Sequence, residues 1–247
     1  MNKRVGNIEI RVNNVSKSFR DVSALNNVSL DFHTGNLYGV IGPAGAGKTT
    51  LFRIMLDLMR ADVGGCEYFC DGHSVSFDEF RQNIAYMPQS QSLYSDLSVG
   101  EHLDFFRRLY SLDNAEFRKK RTELLKLTRL DKFLDRTAGN LSGGMYKKLG
   151  LMCALLRSPR VMLLDEPTNG VDPISRREFW NLLHDALNSG ILVIMTTAYM
   201  DEAERCDRVV LMDSGHVLGA GEPRELLNKY KCANFDEFFL VRGGNNK

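Results

Sequence analysis

A glycine-rich stretch with a lysine and two threonines is the first place where the residue types could do chemistry. It reads IGPAGAGKTT and follows directly on the apolar run LYGVI. This stretch has the spacing of a phosphate-binding loop between a strand and a helix. Gly42 is followed, after four residues, by Gly47, Lys48 and Thr49. Glycines let backbone amides turn towards phosphates, and the helix N-terminus adds a favourable dipole. The stretch therefore predicts a nucleotide phosphate site.

Two side chains of this loop have separate predicted roles. Lys48 would neutralise the β and γ phosphates of a nucleotide, and Thr49 would place its hydroxyl on Mg²⁺. The rest of the loop would contribute its backbone. The predicted nucleotide-binding residues of the loop are Gly42, Pro43, Ala44, Gly45, Ala46, Gly47, Lys48, Thr49 and Thr50.

A pair of acids ends the run VMLLDEP and supplies a second chemical group. The apolar residues predict a buried strand, at whose end Asp165 lies. Asp165 can hold the coordination shell of Mg²⁺, while Glu166 can polarise a water for in-line attack on the terminal phosphoryl group. A small-molecule kinase needs no such carboxylate. The pair therefore predicts ATP hydrolysis, with Glu166 as the catalytic acid-base group.

Short β-branched runs alternate with longer segments of helical period, which predicts an α/β fold with a mostly parallel sheet. The run IEIRVNNVSKSF and the later VSLDF predict antiparallel strands that cover one edge of that sheet. A helical pattern from Ser98 to Arg157 predicts a helical subdomain over residues 89–157, inserted between core segments 1–88 and 158–247. The predicted inner strands are Leu37–Ile41, Ile84–Met87, Val161–Asp165, Ile191–Thr196 and Val209–Met212.

Composition excludes several classes of protein. Lys and Arg number 32 and Asp and Glu 31, so no overall positive field would hold nucleic acid, and we expect no nucleic-acid partner. No apolar run approaches the roughly 20 residues of a membrane-spanning helix, and no signal-peptide core follows the first residues. The five cysteines are scattered and odd in number, which predicts free thiols.

A third motif, LSGGM at Leu141 to Met145, makes a family resemblance specific. Taken with the phosphate loop, YMPQ ending at Gln89 and DEPTNGVDP from Asp165 to Pro173, nearly the whole chain resembles the ATP-binding subunit of an ABC transporter. This resemblance implies a P-loop NTPase with a RecA-like core. GVDPISRREFW and the methionine of LSGGM are most similar to cassettes of ABC-2 type exporters, and the alanine at position 198 resembles the first cassette of fused tandem exporters.

The resemblance also implies roles for single residues outside the loop. Phe19 resembles the aromatic residue that stacks on adenine, and Asp172 resembles the aspartate of the D-loop. Gln89 resembles the residue that senses magnesium and water, so the predicted catalytic residues are Glu166, Gln89 and Lys48. The predicted Mg²⁺ ligands are Thr49, Gln89 and Asp165.

Ser142, Gly143 and Gly144 form a second predicted anion-binding surface. They offer a hydroxyl and backbone amides at a helix N-terminus. In the family, this signature of one cassette closes over the ATP that the phosphate loop of another cassette holds. The resemblance therefore implies a dimer, with either an identical or a different cassette.

One position departs from the family pattern. Where relatives carry a histidine that contacts the γ phosphate, the stretch ILVIMTTAYMDEAERCD places Ala198. A methyl group neither donates nor accepts that hydrogen bond, and losing one such contact commonly lowers a rate about 100-fold. We expect slow hydrolysis at this site or a different partner cassette; Thr197 and Tyr199 are the available substitutes.

The resemblance implies a partner and a location as well. The cassette would bind a polytopic membrane subunit through the helical block after Gln89 and drive transport from the cytoplasmic face of the inner (plasma) membrane. Two alternatives stay open. One is a soluble ABC-type ATPase acting on ribosomes or DNA, and the other is a regulatory subunit that binds ATP with little hydrolysis.

Overall fold

The structure, a computed structural model, describes residues 6–90 and 92–242. Strands and helices alternate along this part of the chain. The strands are β1 (Ile8–Phe19), β2 (Val22–His33), β3 (Leu37–Ile41), β4 (Val63–Cys70), β5 (His73–Val75), β6 (Ile84–Met87), β7 (Val161–Asp165), β8 (Leu192–Thr197), β9 (Arg208–Asp213) and β10 (His216–Gly221). The helices are α1 (Lys48–Met55), α2 (Phe77–Phe80), α3 (Val99–Leu109), α4 (Asn114–Thr128), α5 (Gly143–Leu155), α6 (Pro173–Asn188), α7 (Pro223–Tyr230) and α8 (Phe235–Arg242).

A six-stranded sheet in the order β10-β9-β3-β8-β7-β6 forms the centre of the fold. Its inner pairings are parallel, and only β10 pairs antiparallel, with β9. Strands β3, β7 and β8 are buried along their whole length, as expected for parallel strands covered on both faces. This sheet confirms the predicted α/β fold with a mostly parallel sheet and an antiparallel edge.

The N-terminal strands are not paired into that sheet, so the sequence prediction was wrong about which strands form its antiparallel edge. Strands β1 and β2 belong to a separate antiparallel sheet in the order β2-β1-β4-β5. The strands of this sheet missing from the prediction are β4 and β5; β4 has the sequence VGGCEYFC, with two consecutive glycines after its valine. Glycine is depleted in strands, so the first half of β4 carries no strand pattern, although β1 pairs with it.

Hydrophobic residues of the central sheet point alternately to two cores. On β3, Tyr38 and Val40 pack into the cluster that lies against β1, β2 and α1. Leu37 and Ile41 pack on the opposite face, in the cluster that holds α6 and α8. This alternation follows from the two-residue period of a strand. Because both faces of β3 are packed, the position of the phosphate loop that follows β3 is fixed relative to the sheet.

A third hydrophobic cluster lies wholly in the helical region and includes Val99, Leu103, Leu149 and Leu156. Helix α3 in this region begins with a capping box, in which Ser98 accepts from the Glu101 amide and Glu101 accepts from the Ser98 amide. A separate core supports the proposed helical subdomain at 89–157. Among the described residues, no helix combines the length and apolar character that crossing a bilayer requires.

Substitution of Phe179 tests the core that packs between the central sheet and α6. Its side chain is 0% exposed, so Phe179→Ala would remove buried apolar surface and leave a cavity. We expect a loss of about 3–5 kcal/mol in the free energy of unfolding, measured by urea denaturation followed by circular dichroism. Leu240→Ala, at a side chain that is 82% exposed, should unfold like the wild type. Equal effects of the two changes would contradict this core assignment.

Candidate active site

The phosphate loop joins β3 to α1 and is shaped by two glycines. Gly47 caps α1 with φ 99°, a left-handed conformation that favours glycine. A Cβ on Gly42 would lie 2.1 Å from the carbonyl oxygen of Met212, so only glycine fits there. Within the described chain, the backbone amides of Gly45 and Gly47 donate to no other group. These free amides and the start of α1 suit the loop to hold phosphate oxygens.

Lys48 turns back over its own loop. Its Nζ donates to the carbonyl oxygens of Gly42 at 2.7 Å and Pro43 at 2.9 Å, and it lies 3.5 Å from Oε1 of Glu166. Burial lowers the pKa of the Lys48 ammonium, and the negative charge of Glu166 opposes that shift. The Lys48 ammonium thus lies between the loop and Glu166, in a position to contact an anion bound in the loop.

Asp165 lies at the buried end of β7 and has one free oxygen. Thr196 Oγ1 on β8 donates to Asp165 Oδ1 at 2.5 Å, whereas Asp165 Oδ2 is buried with no hydrogen-bond partner among the described residues. An unpaired buried carboxylate oxygen is costly, and a divalent cation would satisfy it. Hydroxyl, amide and carboxylate oxygens of Thr49, Gln89 and Asp165 are the oxygen donors that Mg²⁺ prefers, so these residues fit the predicted ion.

Glu166 occupies an unusual backbone conformation beside Asp165. Its φ is 46°, and its amide donates to the Thr196 carbonyl oxygen at 3.1 Å and to Thr196 Oγ1 at 2.9 Å. Its Oε2 accepts from Gln89 Nε2 at 3.0 Å and from Asn169 Nδ2 at 3.2 Å. A non-glycine residue at positive φ is held there by its surroundings, often at a functional site. Here these bonds leave Oε1 on the side of Lys48.

One cleft of about 320 Å³ brings most of the predicted site together. The phosphate loop from Ala44 to Thr50 lines it with Phe19, Gln89 and Glu166. Phe19 is exposed at the mouth, where a planar base could stack on its ring. The lining residues that sequence reasoning missed are Val22, Ser23 and Ala24. They carry no motif and lie there only because β2 follows Phe19 after a tight turn.

The signature residues lie elsewhere. Ser142 caps α5 by accepting from the Met145 amide at 3.3 Å, and it does not line the cleft that contains Lys48. A Cβ on Gly144 would lie 2.4 Å from Cβ of Ser175, so this turn packs closely on the start of α6. Gly143 is exposed beside it. The two predicted anion-binding surfaces therefore do not share one cleft in this chain.

Asp172 caps α6 in the structure. Its Oδ1 accepts from the amides of Ile174 at 3.1 Å and Ser175 at 3.0 Å, and these backbone hydrogen bonds lower the pKa of the Asp172 carboxyl. It does not line the Lys48 cleft. Its predicted role in nucleotide binding stays a prediction, since within one chain it shapes the segment between β7 and α6.

Ala198 is exposed in the segment after β8, next to the phosphate loop. The carbonyl oxygen of Thr197 accepts from the Gly42 amide at 3.2 Å, which ties the two segments together. Two further residues near Glu166 were missed by the sequence motifs, Asn169 and Thr196. A signal existed for Asn169, because it is the polar residue three positions after Glu166 in DEPTN; none existed for Thr196.

A profile of the ABC transporter family matches residues 25–169, which include the phosphate loop, the signature and the acid pair. The chain belongs to the ABC transporter family. This result confirms the resemblance inferred from the motifs. It also explains why the loop, the buried carboxylate and the signature occur together, since each belongs to the nucleotide-binding cassette of that family.

Named relatives of this ABC transporter cassette include transport and export proteins. It is 41% identical over 225 residues to the "Probable multidrug ABC transporter ATP-binding protein YbhF" of Escherichia coli (strain K12), covering 88% of this chain and 38% of that protein. It is 34% identical over 239 residues to the "Nod factor export ATP-binding protein I" of Rhizobium sp. (strain N33), covering 96% of this chain and 78% of that protein. The chain thus spans well under half the length of the first relative.

Solved cassettes share the fold. The "Structure of ATP binding subunit of ABC transporter" superposes with a TM-score of 0.81 and 26% sequence identity, covering 94% of this chain and 98% of that one. Because the match extends over nearly all of both chains, it includes both sheets and the helical region. The predicted P-loop NTPase fold is confirmed.

Thr196 is expected to hold the acid pair in place. Thr196→Val keeps the shape but leaves Asp165 Oδ1 without its donor in a fully buried position. We expect a loss of about 1–3 kcal/mol in the free energy of unfolding, measured by urea denaturation. The matched change Thr122→Val, at an exposed position of α4, should have almost no effect. Unchanged stability of Thr196→Val would show that the buried pair contributes little.

Proposed function

We propose that this chain hydrolyses ATP as the cassette of an exporter and thereby drives transport through a separate membrane subunit. The observation that carries the proposal is the placement of Glu166, whose Oε1 lies 3.5 Å from the Lys48 ammonium inside the phosphate-loop cleft. Relatives named for multidrug transport and for Nod factor export support transport over action on ribosomes or DNA.

Different residues of the chain would have different roles in hydrolysis. The amides of the loop and Lys48 would bind the phosphates, and Phe19 would stack on the base. Bound Mg²⁺ would neutralise charge on the phosphates, held by Thr49, Gln89 and Asp165. Glu166, kept in orientation by its amide donors, would accept a proton from the attacking water.

A second cassette would complete the site. Ser142 and Gly143 are exposed and lie outside the cleft of their own chain. Their hydroxyl and amides can bind an anion that a neighbouring cassette presents. The proposed partner is therefore a second ATP-binding cassette, identical or different, with one nucleotide between each phosphate loop and the facing signature.

The proposed membrane partner would contact an exposed apolar surface of the helical region. Tyr94, Phe105 and Leu109 are exposed on the segment that follows Gln89, and the rings of Tyr94 and Phe105 lie 5.3 Å apart. Exposed clusters of large apolar side chains are typical of protein interfaces. This surface would place the chain on the cytoplasmic face of the inner membrane, against a polytopic subunit.

A second candidate function is a regulatory cassette that binds ATP with little hydrolysis. Ala198 favours it, because no imidazole is present where the family carries a histidine. Glu166 and Gln89 count against a complete loss of turnover, because both line the phosphate-loop cleft and Gln89 donates a hydrogen bond to Glu166.

Glu166→Gln separates the two candidate functions. The amide keeps the shape of the side chain but cannot accept the proton of water, so we expect phosphate release to fall at least about 100-fold while ATP binding is retained. Phosphate release and equilibrium ATP binding of the purified chain measure the two effects. Glu123→Gln, an exposed position on α4, should behave like the wild type. A wild type that releases no more phosphate than Glu166→Gln would establish the regulatory function.

Ser142→Arg tests the proposed dimer. In the Glu166→Gln background, ATP should convert the monomer into a dimer, and a long cation in the signature turn should prevent this by blocking close approach. Size-exclusion chromatography with light scattering measures the mass with and without ATP. Ser74→Arg, at an exposed position of β5, should still dimerise. An ATP-loaded monomer in every variant would contradict a homodimer and leave a different cassette as the partner.

A further inference from the structure

A line of hydrogen bonds runs from the residue after Ala198 to the catalytic carboxylate. The hydroxyl of Tyr199 donates to Oδ1 of Asn169 at 3.4 Å, and Nδ2 of Asn169 donates to Oε2 of Glu166 at 3.2 Å. The segment after β8 thus contacts Glu166 through Asn169, although position 198 has only a methyl group. No sequence motif predicts this connection, because the residues lie on two segments 30 positions apart.

Tyr199 is itself held in place. Its amide donates to Thr197 Oγ1 at 3.0 Å, which fixes the turn after β8. The guanidinium of Arg176 lies 4.5 Å from the centre of its ring. A cation over an aromatic face is attractive, so the ring has a defined position before any nucleotide binds.

Arg176 connects this ring to a buried carboxylate. Its Nε donates to Glu202 Oε1 at 2.7 Å, and its Nη2 donates to both carboxylate oxygens of Asp201 at 3.1 Å. Glu202 is fully buried and also accepts from Thr168 Oγ1 at 3.1 Å and Trp180 Nε1 at 3.3 Å. Thr168 precedes Asn169, so the same network contacts the Tyr199 ring and the residue next to Asn169.

The polarity of the line determines how Asn169 faces Glu166. An asparagine side chain has a donor end and an acceptor end. Because the Glu166 carboxylate can only accept, Nδ2 faces it, and Oδ1 is left to accept from the Tyr199 hydroxyl. A rotated amide would place its oxygen against the negative charge of Glu166, which is unfavourable. Removing the hydroxyl would take away the contact that fixes Asn169 Oδ1, so the Asn169 amide would hold Glu166 Oε2 less firmly beside Gln89.

We propose that Tyr199 is a positioning residue for hydrolysis, which orients Glu166 through Asn169 in a cassette that has alanine at the histidine position. This inference rests on the proposed function, because it assumes that Glu166 activates water. Tyr199 does not line the cleft that contains the phosphate loop, so its effect should fall on the chemical step and not on ATP binding.

Tyr199→Phe tests the proposal, because it removes only the hydroxyl. From the net free energy that one hydrogen bond contributes, we expect the kcat of Tyr199→Phe to be about 3-fold to 10-fold lower. The KM and Kd for ATP should be unchanged. Asn169→Ala should lower kcat similarly, and the double variant should lose no more than Asn169→Ala alone. Tyr110→Phe is the matched control, since the Tyr110 hydroxyl has no hydrogen bond in the described residues and lies in the helical region.

A readout without turnover completes the experiment. In protein labelled with ¹⁵N-asparagine, the side-chain amide signal that disappears in Asn169→Ala should shift in Tyr199→Phe and stay in place in Tyr110→Phe. An unchanged Asn169 signal, additive losses in the double variant, or an unchanged kcat of Tyr199→Phe in an active wild type would overturn the inference. Wild-type turnover equal to that of Glu166→Gln would instead reject hydrolysis itself, and the amide signal would still decide whether the link exists.

Discussion

The hydrogen bonds of Thr196 are the constraint on which the active site depends. Strands β7 and β8 pair in parallel with Asp165 opposite Thr196, so the two residues meet at the carboxyl edge of the sheet. The Thr196 hydroxyl then donates to Asp165. The hydroxyl and carbonyl oxygens of Thr196 both accept from the Glu166 amide. A slip of one residue in this register would turn both acids to the wrong faces. The position of the catalytic chemistry is therefore set by strand pairing.

The same contacts explain how Glu166 tolerates a positive φ. Such a conformation costs about 1–3 kcal/mol for a residue with a side chain, and the bonds to Thr196, Gln89 and Asn169 oppose a return to an ordinary strand conformation. The conformation lifts the carboxylate out of the line of β7 and towards Lys48. Strain and electrostatics thus act together, because the buried ammonium would be unfavourable without the nearby negative charge.

The two predicted anion-binding surfaces lie on different parts of the chain. The Lys48 loop extends from the carboxyl end of β3, whereas Ser142 begins α5 in the helical region and packs on the start of α6. Hydrophobic clusters on different elements hold each surface in place. Because Ser142 does not line the Lys48 cleft of its own chain, we propose that a second cassette supplies the missing half.

The amino-acid sequence alone predicts the local chemistry, namely the phosphate loop, the acid pair, the signature turn and the buried parallel strands. These features are local because each depends on residue types at fixed spacing along one segment. The folded chain, and no local pattern, decided that β1 and β2 pair with β4 in a separate sheet, since pairing between distant segments is not marked in either segment alone. It also decided that Thr196 accepts from the Glu166 amide and that the Tyr199 hydroxyl donates to Asn169. Those contacts join segments distant in the chain, and hydrogen bonds between ordinary polar residues leave no periodic pattern in a sequence.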